Sequence, residues 1–192
     1  GAAFEASRPF YPADIADALS RMPRPRALVT TPFHLKTLIA SRHDLPQVDM
    51  ILSATAPLSP QLAAQAEDAL GGPLFEVYGC TEAGQVAARR TTDGEVWTTL
   101  GALRLHQRST PEGERTVVHG GHVLEPTLLG DVIELLDDQH FRLYGRANDI
   151  IHVGGKRSSL AHLNFQLNRI EGVEDGAFWL PEQVPDGVVR PV

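Results

Sequence analysis

The chain has 192 residues, with 24 acidic against 17 basic for a formal charge of −7, and is 42% hydrophobic and 21% charged. That length holds one good-sized domain or two small ones, and the composition excludes a disordered, collagenous or low-complexity chain. The acidic balance argues against a nucleic-acid partner, no apolar run reaches the roughly 18–20 residues of a bilayer span, and the single cysteine, Cys80, excludes an internal disulfide framework and predicts a cytoplasmic setting.

Gly1 stands where a methionine would, without a basic-then-apolar leader, and Gly187–Val192 ends on an apolar run, so a piece cut from a longer protein is expected. Pro12–Met22 places Ile15, Leu19 and Met22 on one helical face. Ala27–Thr30 reads as a short strand ending before Pro32, and Phe33–Ser41 reads as a helix with Leu35, Leu38 and Ile39 apolar. Met50–Ser53 is a second buried-type strand. Ser59-Pro60 then supplies an N-cap and a first-turn proline, and Gly71-Gly72 a stop, for a helix carrying Leu62, Ala66, Ala69 and Leu70. Leu74–Tyr78 is the third strand.

Strands alternating with helices predict right-handed crossovers and a parallel βαβ layer, whose ligands sit outside the carboxyl ends of the strands. Here that edge is Thr30-Thr31-Pro32, Ser53-Ala54-Thr55-Ala56-Pro57 and Tyr78-Gly79-Cys80-Thr81-Glu82, all rich in small, hydroxyl or glycine residues. Beyond about Gln85 the pattern changes to short strands at Val86–Arg90, Val96–Leu100, Leu103–His106, Thr116–His119, Asp131–Leu136 and Phe141–Tyr144, separated by turn residues. An antiparallel, barrel-like subdomain is expected there. From Asn148 on, a strand with a Gly154-Gly155 turn precedes a helix near Leu160–Ile170 and a strand at Gly176–Trp179.

Two segments carry candidate chemistry. In Tyr78-Gly79-Cys80-Thr81-Glu82-Ala83-Gly84, Tyr78 offers an aromatic face to a base, Thr81 a hydroxyl to a phosphate, and Glu82 a hard carboxylate to magnesium. An ordinary strand-to-loop turn with a solvated glutamate fits the same residues. The second segment pairs Gly130-Asp131 with Gly145-Arg146, fifteen residues on, across a hairpin. Asp131 can accept from vicinal ribose hydroxyls with Arg146 beside it, although a plain surface ion pair fits as well.

Taken together these residues resemble the adenylate-forming superfamily of acyl- and aryl-CoA synthetases, luciferases and adenylation domains. Tyr78-Gly79-Cys80-Thr81-Glu82 matches its Tyr-Gly-x-Thr-Glu motif, and Ser53–Ser59 resembles the Gly-Ala-Pro-Leu-Ser stretch about twenty residues upstream. Gly130-Asp131 is similar to the end of its Thr-Gly-Asp motif, with Leu129 in place of threonine, and Gly145–Arg157 resembles its Gly-Arg-x-Asp-Asp-x-Ile-Lys-x-x-Gly stretch. Order and spacing agree from about Pro9 to Trp179.

The resemblance implies ATP or AMP, magnesium, and CoA or a phosphopantetheine-bearing acyl carrier protein as acyl acceptor for a carboxylic acid substrate. Tyr78 and Gly79, with the Ala54, Thr55, Ala56 and Pro57 backbone, would hold adenine. Thr81 would contact the α-phosphate and Glu82 the magnesium ion. Asp131 and Arg146 would hold the ribose, Asn148 would stand at the interdomain hinge, Gly155 would approach a pantetheine tunnel, and Arg157 would approach a phosphate. Thr31, Phe33, His34, Ser53 and Cys80 would line the acyl pocket. Residues 1–88 would be the α/β part of a large domain, 89–147 its β subdomain, and 148–192 the start of a small mobile α+β C-terminal domain. The family's phosphate loop and its C-terminal lysine have no match here, since Lys36 and Lys156 are the only lysines and neither has the right context. The chain alone is therefore expected to be inactive.

Two other readings compete. One is a non-catalytic nucleotide- or acyl-binding module of the same fold. The other is a metal pair at His119-Gly120-Gly121-His122 with His106 or His140, against which a solvated hairpin is preferred. Cys80 has no general base beside it in sequence, so a packed thiol is expected rather than a nucleophile.

Overall fold

The computed structural model describes residues 4–41, 43–111, 113–146, 150–153, 156–167, 170, 172–173 and 176–179. They group into two compact units, one running to Gly79 and including Ala87–Glu95, the other built on Cys80–Val86 and the residues from Val96 on.

In the first unit, helix α1 (Pro12–Arg21) buries Ile15, Ala18 and Leu19, the i, i+3, i+4 stripe that its sequence carries. Strand β1 (Ala27–Thr30) leads into α2 (Pro32–Ala40), where the Thr31 hydroxyl accepts from the His34 amide as an N-cap. Strand β2 (Met50–Ser53) leads through a loop into α3 (Pro60–Leu70), capped in the same way by Ser59 accepting from Leu62. Gly71 ends α3 at φ 76°, and its amide donates to the Glu67 carbonyl. Strand β3 (Leu74–Cys80) follows, and β4 (Gly84–Arg90) lies beside it.

Strands β1, β2 and β3 are parallel, with Thr30 opposite Ser53 and Ser53 opposite Glu76. Thr30, Ser53 and Glu76 therefore lie in one row, and β3 runs on beyond it to Cys80. Beneath them Leu35, Leu38, Val48, Ile51, Leu58, Leu70 and Leu74 form one buried cluster. Leu70 is fully buried, and truncating such a side chain to alanine costs about 2–5 kcal/mol.

The second unit is antiparallel. Strand β10 (His140–Arg146) lies between β5 (Val96–Thr99) and β9 (Asp131–Leu135), and Trp97 stacks on its register partner Phe141 at 6.4 Å between ring centroids. Strands β6 (Arg104–Thr110), β7 (Gly113–Gly120) and β8 (Val123–Leu128) make a separate sheet. The pair β11 (Ile150–Val153) and β12 (Lys156–Ser159) precedes helix α4 (Leu160–Leu167). The chain is thus α/β with a parallel βαβ layer and an antiparallel β region, as its sequence pattern predicts.

Two details differ. Strand β8 was not expected, because Pro126 interrupts its pattern. As the edge strand of its sheet, it tolerates a residue without an N–H, and its pairing with β7 shifts register between Val118 and Gly120. Gly176–Trp179 is not a strand. Its Phe178 amide donates to the Asn164 side chain, on the α4 segment, rather than to a strand ladder.

Candidate functional site

In the first unit the predicted ligand edge is built from the row Thr30, Ser53 and Glu76. Beyond Ser53 the chain forms the exposed loop Thr55-Ala56-Pro57, and Thr55 adopts φ 81°, a left-handed conformation rare for a β-branched residue. The loop is fixed at both ends. At one, the Ala54 amide donates to the Thr30 carbonyl at 3.2 Å. At the other, the Leu58 amide donates to Glu76 Oε1 at 3.1 Å, with the Leu58 side chain fully buried.

Glu76 is itself 5% exposed. Its Oε2 accepts from Arg89 Nε at 2.8 Å, from a terminal guanidinium nitrogen of Arg89 at 2.7 Å, and from the Thr91 hydroxyl at 3.1 Å. A buried carboxylate persists only when its charge is neutralised and its lone pairs are filled, and both conditions hold here. Tyr78, two residues on along the same face of β3, is buried with 8% of its surface exposed.

At the neighbouring strand end, Thr31 Oγ1 lies 3.0 Å from His34 Nδ1 while accepting the His34 amide. The hydroxyl can donate to Nδ1 or accept from it, since its oxygen has a second lone pair beyond the one taken by the amide. His34 Nε2 and Ser53 Oγ are buried polar atoms without a hydrogen-bond partner among the described residues. Phe10 and Phe33 meet the His34 ring edge-on at 5.0 and 5.7 Å.

In the second unit the motif turn runs from Cys80 to Gly84. Thr81 and Glu82 are exposed at its tip, Ala83 is buried, and Gly84 takes φ 68°. The turn is tethered by His122, whose Nε2 donates to the Ala83 carbonyl at 3.0 Å. Glu82 offers one hard carboxylate oxygen donor to solvent. That fits a magnesium ion, which takes one or two carboxylates and completes its shell with phosphate oxygens and water. Burial pushes the Cys80 thiol above its ordinary range and the Glu82 side chain pushes the same way, against the Ala83 and Glu82 amides. A raised thiol is held mainly in its protonated, less reactive form at neutral pH.

Asp131 opens β9 directly opposite Arg146 at the end of β10, so the two face one another in register across the hairpin. The register shifts between Leu143 and Gly145, so Tyr144 is the extra residue of a bulge. Its hydroxyl donates to Glu134 at 2.6 Å, and that bond followed by one from Arg142 holds the Glu134 carboxyl below its usual range.

Asn148 and Gly155 lie outside the described residues. Arg157 sits on β12 opposite His152. The four histidines of the metal alternative are engaged separately: His106 and His119 meet ring to ring at 5.2 Å, His122 holds Ala83, and His140 holds Asp137. Among the described residues, no three His, Cys, Asp or Glu side chains converge as a metal-binding group.

Sequence reasoning missed Glu76, Arg89 and Thr91, and it named His122 only as a metal ligand and not as a tether of the motif turn. For Glu76 a signal existed. The alternation Leu74, Glu76, Tyr78 places a carboxylate on the apolar face of a strand, and such a carboxylate needs a buried cation. His122 carried no comparable signal, because its partner is a main-chain carbonyl 39 residues away.

A family model described as AMP-binding enzyme matches residues 4–108. A 4-coumarate--CoA ligase from Halorhodospira halophila is 32% identical over 161 residues, covering 81% of this chain and 39% of that protein. Among solved structures, ATP-bound MatB from Rhodopseudomonas palustris superposes with a TM-score of 0.71 at 19% identity, over 95% of this chain and 42% of that one. The anthranilate CoA ligase AuaEII in complex with anthranoyl-AMP gives 0.70 at 19%, over 94% and 40%. At these identities the structural likeness speaks for the fold. The chain spans about two fifths of the length of these relatives.

Proposed function

The chain belongs to the AMP-binding enzyme family, and we propose that it is part of an ATP-dependent acid ligase that activates a carboxylic acid as its acyl-adenylate and passes the acyl group to a thiol. The observation that carries this reading is the Tyr78–Glu82 motif at the carboxyl end of β3, the third of three parallel strands whose carboxyl ends point the same way. Ligands of parallel α/β sheets bind at that edge.

In this reading a carboxylate oxygen of the acid attacks the α-phosphorus of ATP. The bond from that phosphorus to the bridging oxygen breaks, and pyrophosphate leaves. Thr81 donates to an α-phosphate oxygen, where charge grows as the bond forms. Glu82 holds magnesium, which when bound neutralises phosphate charge. Tyr78, Gly79 and the Ala54–Pro57 backbone hold adenine, while Asp131 accepts from the ribose hydroxyls beside Arg146. Thr31, Phe33, His34, Ser53 and Cys80 line the acyl pocket, and the bare His34 Nε2 and Ser53 Oγ support a polar ligand atom there. A thiol, that of CoA or of a carrier-protein pantetheine, then attacks the acyl carbon, loses its proton and releases AMP.

Residues 1–88 form the α/β part of the large domain in this reading, 89–147 its β subdomain, and 148–192 the start of a small mobile domain with Asn148 at the hinge and Arg157 near a phosphate. The whole protein works in the cytoplasm. No helix among the described residues is long and apolar enough to cross a membrane. The isolated 192-residue chain does not form adenylate.

Pyrophosphate release from ATP, measured with a panel of aryl, fatty and amino acids, tests this. The full-length protein carrying the chain is expected to respond to at least one acid, and the isolated chain to none. Acid-independent behaviour of the full-length protein sinks the ligase reading, and turnover by the isolated chain sinks the claim that it is incomplete.

A further inference from the structure

We infer that Glu76 is a positioning residue for nucleotide binding: clamped by Arg89 and Thr91, it holds the Thr55–Pro57 loop in its strained, ligand-ready form through the Leu58 amide. This rests on the acid-ligase reading above, in which that loop faces adenine.

The two oxygens of the carboxylate have separate tasks. Oε2 takes both Arg89 contacts and the Thr91 hydroxyl, which anchor the side chain to β4 and to the residue after it. Oε1 is left for the loop and accepts the Leu58 amide at 3.1 Å. Because Glu76 is 5% exposed and the Arg89 side chain 15%, water competes weakly for these bonds.

Thr55 supplies the independent observation. A threonine at φ 81° persists only where its surroundings over-determine the backbone. The fixings are local and complete: the Thr30 carbonyl on the Ala54 amide before it, the Glu76 carboxylate on the Leu58 amide after it, and the Ser59 cap of α3 beyond. Thr55, Ala56 and Pro57, the three residues between these fixings, are exposed. A loop held rigid at its base and open at its tip is preorganised, so a ligand that packs on it loses little binding free energy to ordering. The carboxylate does not reach the ligand in this scheme. It acts on affinity through the loop.

The test is steady-state kinetics of acid-dependent pyrophosphate release in the full-length protein, with Glu76→Ala, Glu76→Gln and the paired Glu76→Leu/Arg89→Leu. The alanine variant is expected to raise KM for ATP roughly tenfold, the factor one charge-assisted hydrogen bond supplies, with kcat changed by less than about threefold. Glutamine keeps an oxygen for the Leu58 amide and is expected to recover most of that affinity. The paired leucines remove both buried charges and cover the case in which alanine leaves Arg89 stranded and the protein unfolded. They are expected to fold and to show the raised KM.

Amide hydrogen exchange of the peptide spanning Ala54–Ser59, without nucleotide, is expected to accelerate in every folded variant that lacks the oxygen. Wild-type KM for ATP together with unchanged exchange in a folded alanine or paired-leucine variant overturns the inference. A wild-type protein that never consumes ATP overturns the ligase reading instead. Slow loop exchange in the folded variants would then still overturn the positioning role.

Discussion

The loop Ala54–Ser59 and the turn Cys80–Gly84 do the same structural job by different means. Each follows a strand of the predicted ligand edge, each exposes its tip, and each contains one residue in the left-handed region. In the turn that residue is Gly84 at φ 68°, which has no Cβ to clash, and the tether from outside the turn is a His122 N–H on the Ala83 carbonyl. In the loop it is Thr55 at φ 81°, and there a buried ion pair and a strand-edge carbonyl fix the two ends. Strain and tether strength rise together. A binding segment can be made rigid by removing the strain or by overpowering it.

The sharpest way to break this contrast is to take the cation from the strong tether. Arg89→Ala leaves the Glu76 carboxylate buried without its partner, and about 3–5 kcal/mol of stability is expected to disappear, read from urea unfolding. Glu76→Leu/Arg89→Leu is expected to lie far closer to wild type, because no charge is left behind. Equal losses in the two would mean that packing of the long side chains, not charge, holds the loop.

Next come mirror-image substitutions at the two left-handed positions. Gly84→Ala is expected to cost about 1–2 kcal/mol, the penalty an L side chain meets at that φ. Its new Cβ would have His122 Nε2 at 3.5 Å, ordinary contact, so the cost is backbone strain and not collision. Thr55→Gly is expected to be neutral or to stabilise by up to about 1 kcal/mol, since relief of strain is partly offset by the greater freedom of glycine when unfolded. Thermal melts of the two variants side by side check this. A destabilising Thr55→Gly would show that the threonine side chain holds its own backbone. Smaller again is His122→Ala, expected to cost about 1 kcal/mol for one hydrogen bond, with faster amide exchange confined to Cys80–Gly84.

The contrast also explains what was legible from sequence. The apolar stripe of α1, the Thr31 and Ser59 caps and the Gly71 stop are local signals, and the elements they predict appear within a residue or two. The facing of Asp131 and Arg146 followed from counting along a hairpin, and the register agrees. Strand β8 was hidden because Pro126 reads as a breaker when the strand's edge position is unknown. The tethers were hidden for a different reason. The motif residues lie within single turns of chain, whereas Leu58, Glu76 and Arg89 meet across 18 and 13 residues, and His122 meets Ala83 across 39. Other elements lie between Leu58 and Glu76 and between Ala83 and His122, so counting along a single hairpin does not pair them.

The smallest expected effect concerns acid, and it separates the two regions by chemistry. The first unit holds a second carboxylate tether at Glu67, which accepts from the Leu74 amide at 2.7 Å and from Arg90 at 2.9 and 3.0 Å, with Thr92 beside it. Burial works against the Glu67 charge, but the Arg90 guanidinium and the Leu74 amide outweigh it and hold the carboxyl below its usual range. A carboxyl depressed on folding contributes stability that is present above the unfolded-state pKa and is lost as pH falls through the folded one. Acidification from about pH 7 to about pH 4 is therefore expected to begin to weaken the start of β3 and the end of β4, with the loss continuing below that range. The His122 tether contains no carboxylate: its ring N–H donates to the Ala83 carbonyl. Peptide-resolved hydrogen exchange across this range is expected to rise at Leu74 and Arg90 first and to stay level at Cys80–Gly84, and Glu67→Gln is expected to flatten the response of the first pair. A turn that opens in acid ahead of these strand ends would reverse the ranking of the two regions and place the weaker tether in command of the site.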